Sequence, residues 1–140
     1  MIKGIGRKPS VLVAEDNAIN QKVLLLMLKK LGYRADVVTN GIEVLRALDR
    51  HYDVVLMDVM MPEMDGLQAT RTIRHHLDAR DQPYIIAVTA YAFEDCREKC
   101  LDAGMDDFIS KPVRIEELES ALHFVKRKTR MRLELSDRHL

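Results

Sequence analysis

The chain has 140 residues, enough for one domain with a real core. Its 22 acidic and 22 basic residues balance, so no global field draws it to nucleic acid or to an anionic membrane. No apolar run is long enough to span a bilayer, and the opening "MIKGIGRKPS" lacks the apolar stretch of a signal peptide.

Strand and helix patterns alternate five times. "SVLVAED" is an apolar run ending in acids, and "NAINQKVLLLMLKKLG" follows with Ile19, Val23, Met27 and Leu31 as its predicted inner face and Gly32 as its stop. "RADVV" is a weaker strand suited to a sheet edge. Asn40-Gly41 reads as a turn, and Ile42, Leu45 and Leu48 begin a second helical stripe. "DVVLMD" is the third strand, and Leu67, Thr70, Ile73 and Leu77 mark the third helix after Pro62 and Gly66. "YIIAVTA" is the fourth strand, and "FEDCREKCLDAG" a short polar helix closed by Gly104. "DFIS" is a short fifth strand, and Ile115, Leu118, Leu122 and Val125 mark the last helix. Residues 1–9 read as a linker and 10–128 as the folded domain. Residues 129–140 are left open between a longer last helix, a strand and disorder.

Strands one, three and four are continuous aliphatic runs, the pattern of parallel strands covered on both faces. With helices between them they imply right-handed crossovers and a five-stranded, doubly wound α/β sheet. Ligands of such sheets bind beyond the carboxyl ends of the strands. Strand one ends in Glu15-Asp16, strand three in Asp58, strand four in Thr89-Ala90, and strand five near Lys111-Pro112. Three acids, one hydroxyl and one lysine therefore share an edge. Each close pair of carboxylates repels by about 4 kcal/mol at 4 Å with an effective dielectric near 20. Hard oxygen ligands at a partly open site suit Mg²⁺. Asp58 is placed to attack phosphorus, with Lys111, the Thr89 hydroxyl and the Ala90 amide able to meet the phosphoryl oxygens.

"AEDN", "MDVMMPEMDG", "VTAYA" and "DDFISKPV" together resemble the response-regulator receiver domains of two-component phosphorelay systems, over Val11 to Arg127. The resemblance implies a flavodoxin-like sheet of order 2-1-3-4-5 with Asp58 as phosphoacceptor. It also makes Asp16 a direct Mg²⁺ ligand, Glu15 a ligand through water and Met60 a ligand through its carbonyl, with Mn²⁺ able to substitute. Thr89 and Lys111 would contact the phosphoryl group, Lys111-Pro112 would be cis, and Phe108 would be an aromatic switch without a tyrosine hydroxyl. Met60 and Tyr91 would flank the approach of hydrolytic water. "EDNAINQKV" and "CREKCLDAGMDDFISKPV" resemble receivers of hybrid sensor histidine kinases, which implies a histidine kinase or a histidine phosphotransfer domain as partner, in the cytoplasm. Nucleic acid and direct membrane contact are not expected, and a homodimer is left open.

Other classes fit less well. A phosphatase of haloacid dehalogenase type needs a second Asp where Met60 stands, so turnover beyond self-phosphorylation and autodephosphorylation is not expected. A nucleotide or flavin module needs a Gly- or Ser/Thr-rich loop after strand one, where "EDNAIN" offers carboxylates. A stand-alone response regulator stays open, and a degenerate receiver lacks support because every phosphorylation residue is present. Cys96 and Cys100 read as reduced thiols rather than a disulfide or zinc pair. His51, His75, His76 and His123 read as exposed, Met60-Met61-Met64 as loop packing, and "KRKTR" as a solvated tail.

Overall fold

The computed structural model describes residues 8–90 and 94–138. Ten elements alternate: β1 (Val11–Ala14), α1 (Ala18–Lys30), β2 (Ala35–Val38), α2 (Gly41–Ala47), β3 (Val54–Met57), α3 (Gly66–His76), β4 (Tyr84–Thr89), α4 (Glu94–Ala103), β5 (Asp107–Ser110) and α5 (Ile115–Arg138). The strands form one parallel sheet in the order β2-β1-β3-β4-β5. This is the flavodoxin-like order expected from the sequence, with β2 at an edge.

Successive strand residues face opposite sides, so the sheet carries two cores. Leu12, Ala14, Val55, Met57, Ile85 and Ala87 pack with Val44, Ala69, Ile73 and Cys100 of α2, α3 and α4. Val11, Val13, Val54, Leu56, Ile86 and Val88 pack with α1 and α5 through Leu24, Leu28, Leu118 and Leu122. Continuous aliphatic strands follow from this double cover.

The α1 stripe differs from the expectation. Ile19 and Val23 are 72% and 43% exposed, whereas Leu24 and Leu28 are buried. A strict four-residue spacing drifts about 40° per step around a helix of 3.6 residues per turn. The series beginning at Ile19 therefore starts outside and only ends inside, at Met27 and Leu31. Asn40-Gly41 is likewise a helix start rather than a free turn: the Asn40 side chain accepts from Glu43 N–H at 2.9 Å. At the ends of the chain, Lys8 and Pro9 pack on the body, with the Lys8 ammonium 4.9 Å over the Tyr33 ring. The rest of the expected linker lies outside the described residues, and α5 takes in most of the segment left open at the other end.

Gly66 fixes the loop behind β3. A Cβ there would lie 2.2 Å from the Asp58 carbonyl oxygen and 2.9 Å from Met57 Cγ. A backbone oxygen cannot step aside as a flexible side chain would. Gly66→Ala is expected to destabilise by about 3 kcal/mol, at the upper end of overpacking costs, despite the better helix propensity of alanine. Urea unfolding of the two proteins measures this, and a loss below about 1 kcal/mol would mean that the loop yields.

Candidate functional site

Strand pairing carries the polar residues to one edge. Glu15 N–H donates to the Val38 carbonyl at 3.0 Å and Asp58 N–H to the Ala14 carbonyl at 3.0 Å, so both acids extend the ladder just beyond their strands. Lys111 N–H donates to the Thr89 carbonyl at 2.9 Å and ties the fifth strand's exit to the fourth. Carboxylate oxygens of Glu15, Asp16 and Asp58 all lie within 4.8 Å of one another.

The three acids differ in surroundings. Glu15 is 1% exposed and Asp58 7%. The Lys111 ammonium donates to Asp58 Oδ2 at 2.8 Å and also to Glu15 Oε1. Met60 N–H donates to Asp58 Oδ1 at 3.1 Å, and Asn17 N–H to Glu15 Oε2 at 3.3 Å. Asp16 is exposed and has no side-chain hydrogen bond or ion pair among the described residues. Asp58, at the end of a buried strand, is thus compensated by an ammonium and an amide.

Charge balance tests the fit of a cation. Three carboxyl groups face one ammonium, so acidic groups outnumber the basic one by two. A divalent ion of hard-oxygen preference matches that excess, and Asp16 offers an unengaged carboxylate.

The other expected residues fall around this cluster. Thr89 is fully buried at the end of β4, and Ala90 is exposed beside it. Met60 is 56% exposed at the rim. Phe108 is half-buried against the α2–α4 core, with the Arg97 guanidinium 5.9 Å from its ring. The Lys111-Pro112 bond is cis. Tyr91 lies outside the described residues. His75, His76 and His123 are exposed, as is His51, whose ring also meets Asp53 Oδ1 at 2.9 Å.

Three positioning residues escaped the sequence reading. Asn17 Oδ1 accepts from Ile19 N–H and Asn20 N–H at 3.0 Å each, capping α1 immediately after the acidic pair. Gln21 Nε2 donates to the Glu15 carbonyl. Glu63 holds φ 69 in a three-residue turn closed by Met64 N–H to the Pro62 carbonyl at 2.7 Å. The Asn before an apolar-periodic run was a legible cap signal. Nothing in the sequence marked Gln21 or Glu63.

Burial alone would lower the Lys111 pKa, but hydrogen bonds and charge from Asp58 and Glu15 outweigh it and hold the pKa above the ordinary lysine value. A raised folded pKa stabilises fully below the unfolded value and is lost only as pH rises through the folded one. The Lys111 contribution is therefore constant through neutral pH and disappears only in strong alkali. Lys111→Met strands two buried carboxylates and is expected to cost about 3 kcal/mol at pH 7. The loss should shrink only where the wild-type ammonium itself deprotonates, in strong alkali. Urea unfolding of both proteins at neutral and strongly alkaline pH reads this difference. An equal loss at both would show that the lysine stem, not its charge, matters.

Comparison with known proteins agrees with this geometry. The model of the response regulator receiver domain matches residues 11–123. Hybrid signal transduction histidine kinase K of Dictyostelium discoideum is 42% identical over 137 residues, covering 92% of this chain and 11% of that protein. Histidine protein kinase 1 of Candida albicans is 43% identical over 122 residues, covering 80% and 5%. The chain thus spans a small part of these relatives. The receiver domain of a sensor histidine kinase from Pseudomonas aeruginosa PAO1, with a magnesium ion in its active-site cleft, superposes with TM-score 0.77 at 41% identity, covering 86% of this chain and 98% of that one. The receiver domain of Saccharomyces cerevisiae Ssk1, solved with the histidine phosphotransfer protein Ypd1, superposes with TM-score 0.74 at 26% identity, covering 83% and 88%. With that match over most of its length and this edge of acids and lysine, the chain belongs to the response regulator receiver domain family of two-component systems.

Proposed function

We propose that Asp58 accepts a phosphoryl group from a phosphohistidine on a histidine kinase or histidine phosphotransfer partner, in a Mg²⁺-dependent step within a cytoplasmic phosphorelay. The observation that carries this reading is a nearly buried carboxylate at the end of β3, held by one ammonium, beside two further carboxylates. An Asp58 oxygen forms the new bond to phosphorus. The bond from phosphorus to the imidazole nitrogen breaks, and its electron pair stays with the ring, which takes up a proton. Glu15, Asp16, Asp58 and the Met60 carbonyl would hold the ion, with Mn²⁺ as a substitute. When bound, the ion supplies positive charge to the phosphoryl oxygens. Lys111 is close enough to Asp58 to turn its ammonium onto the incoming group, and Thr89 Oγ1 and the Ala90 amide stand at the neighbouring strand end as further donors.

Similarity to hybrid kinases favours a receiver that works inside, or alongside, such a chain and relays the group onward. Met60 has no group to deliver a proton, which argues against turnover of an outside phosphoester. Phe108, packed beside α4, would respond if Thr89 moved towards the phosphoryl group. Met60 at the rim, with Tyr91, would limit the approach of water.

Asp58→Asn should abolish the acid-stable, base-labile mass gain from acetyl phosphate and Mg²⁺. A full gain in the variant, mapped to another carboxylate, would remove Asp58 from the role.

The partner needs a landing surface near Asp16. Ile19, Val23 and Leu26 are 72%, 43% and 67% exposed on one face of α1, which begins two residues after that acid. The solved complex of a related receiver with a histidine phosphotransfer protein supports such a partner. Ile19→Asp should slow transfer from a phosphohistidine protein by roughly tenfold, the effect of about 1.4 kcal/mol. Uptake from acetyl phosphate should be unchanged, because a small donor needs no docking face. Equal slowing with both donors would place the defect in the chemistry instead.

A further inference from the structure

The amino-terminal end of the sheet, remote from Asp58, holds a cavity of about 590 Å³. Its lining comes from Ser10 and Val11 at the start of β1, the carboxyl end of α1, the segment into β2 and the segment into β3. That volume falls inside the roughly 300–1,000 Å³ of small-molecule sites.

Its charged lining is mostly cationic, with one acid, Asp36. Lys29, Arg34 and Arg50 all line it. Among the described residues none of the three enters an ion pair or a side-chain hydrogen bond. The nearby acids are already engaged. Asp36 accepts the Tyr52 hydroxyl at 2.6 Å. Asp53 accepts from Ser10 N–H at 2.8 Å and Ser10 Oγ at 3.2 Å, and meets the His51 ring at 2.9 Å. The three cations outnumber the one acid of the lining, Asp36, and none pairs with it, so they are left for an anion from outside.

The walls add a second preference. Tyr33 and Tyr52 both line the cavity, with Leu25 beside them. Tyr33 has the Lys8 ammonium over its ring at 4.9 Å, and Tyr52 is 8% exposed and held by Asp36. Both rings are therefore fixed by their neighbours. A fixed aromatic wall beside guanidinium groups suits a planar ring joined to phosphate, because arginine grips phosphate in two-pronged geometry and aromatic faces stack on flat heterocycles.

We propose that this cavity binds a small organic phosphate of nucleotide class, with phosphate on Arg34, Arg50 and Lys29 and the ring against Tyr33. The site is independent of phosphoryl chemistry at Asp58. β1 alone separates the two ends by about 13 Å, at about 3.3 Å per residue, so both can be filled at once.

The test is a titration of the ¹⁵N-labelled chain with ADP, free of divalent cations so that the acidic edge takes no nucleotide through a metal. Saturating amide shifts are expected over Tyr33 to Asp36 and Arg50 to Tyr52, with a dissociation constant of about 1 mM or below, and none at Asp58 or Thr89. ADP should also raise the Tm of the wild-type chain. The double variant Arg34→Gln, Arg50→Gln alters two exposed side chains and should fold. It should bind roughly tenfold more weakly and still take phosphate from acetyl phosphate. Pyrophosphate should bind more weakly than ADP. Failure to saturate, shifts centred on Asp58 and Lys111, unchanged affinity in the double variant, or pyrophosphate equal to ADP would each overturn the proposal.

Discussion

The Lys111 ammonium sits between two carboxylates that the fold has already taken out of water. Glu15 and Asp58 are 1% and 7% exposed, and each gives one oxygen to that ammonium. Without it, two close negative charges would meet in low dielectric, with Asp16 a few ångströms away. The remaining structure is arranged so that this cation arrives. β1, β3 and the exit of β5 lie in a sheet whose order puts their carboxyl ends on one edge, and the Lys111 amide is fixed to the Thr89 carbonyl. Even so, one ammonium does not neutralise three carboxylates. The residual negative charge disfavours the bare fold and favours a divalent cation, so a loss in stability serves the binding site.

Rigidity at this edge comes from backbone contacts more than from side chains. Glu15 and Asp58 each continue a strand ladder. The turn at Glu63, the close approach of Gly66 to the Asp58 carbonyl and the bond from Gly41 N–H to the Met64 carbonyl pin the segment after β3. On the other side Asn17 caps α1 directly after Asp16. A carboxylate held by strands and capped helices would, in the proposed transfer, keep its geometry without preparation by the partner. Two separate cores, one on each sheet face, support this edge from both sides.

Most of the architecture was legible in the sequence because buried parallel strands leave an unambiguous mark. Val54 to Met57 and Ile85 to Val88 are aliphatic without alternation, and both are buried. The acids and the threonine were legible because each stands where such a run stops, and the lysine because it follows the short fifth strand. Helix facing was harder. In α1 the run Val23 to Met27 is apolar all round, so period alone could not separate the buried Leu24 and Leu28 from the exposed Ile19 and Leu26. The cavity of Lys29, Arg34 and Arg50 was illegible for another reason. Its walls come from three segments, and no local pattern says that they meet. Glu63 was hidden too, because glutamate, unlike asparagine or aspartate, carries no expectation of positive φ.

The same connections that hold Lys111 would give the proposed phosphoryl group a mechanical path outward. A phosphate on Asp58 would add about −1.5 to −2 charge and three acceptor oxygens at the point where the ammonium now holds Asp58 and Glu15. The ammonium would be drawn to the new charge, which frees one oxygen of Glu15 for the metal. Lys111 is bonded through its amide to the Thr89 carbonyl, so a displacement there is felt at the ends of both β4 and β5. Phe108 lies on β5 three residues earlier and packs into the core that includes Cys100 of α4, with Arg97 of α4 near its ring. A tyrosine hydroxyl is absent, so this aromatic can report the change only by packing. Packed cores settle into discrete arrangements rather than deforming continuously. On the proposed phosphorylation, the difference between the two states would be carried by where the Phe108 ring rests against α4. A partner that contacts α4 and β5 would read it as a change of shape rather than as a new hydrogen bond.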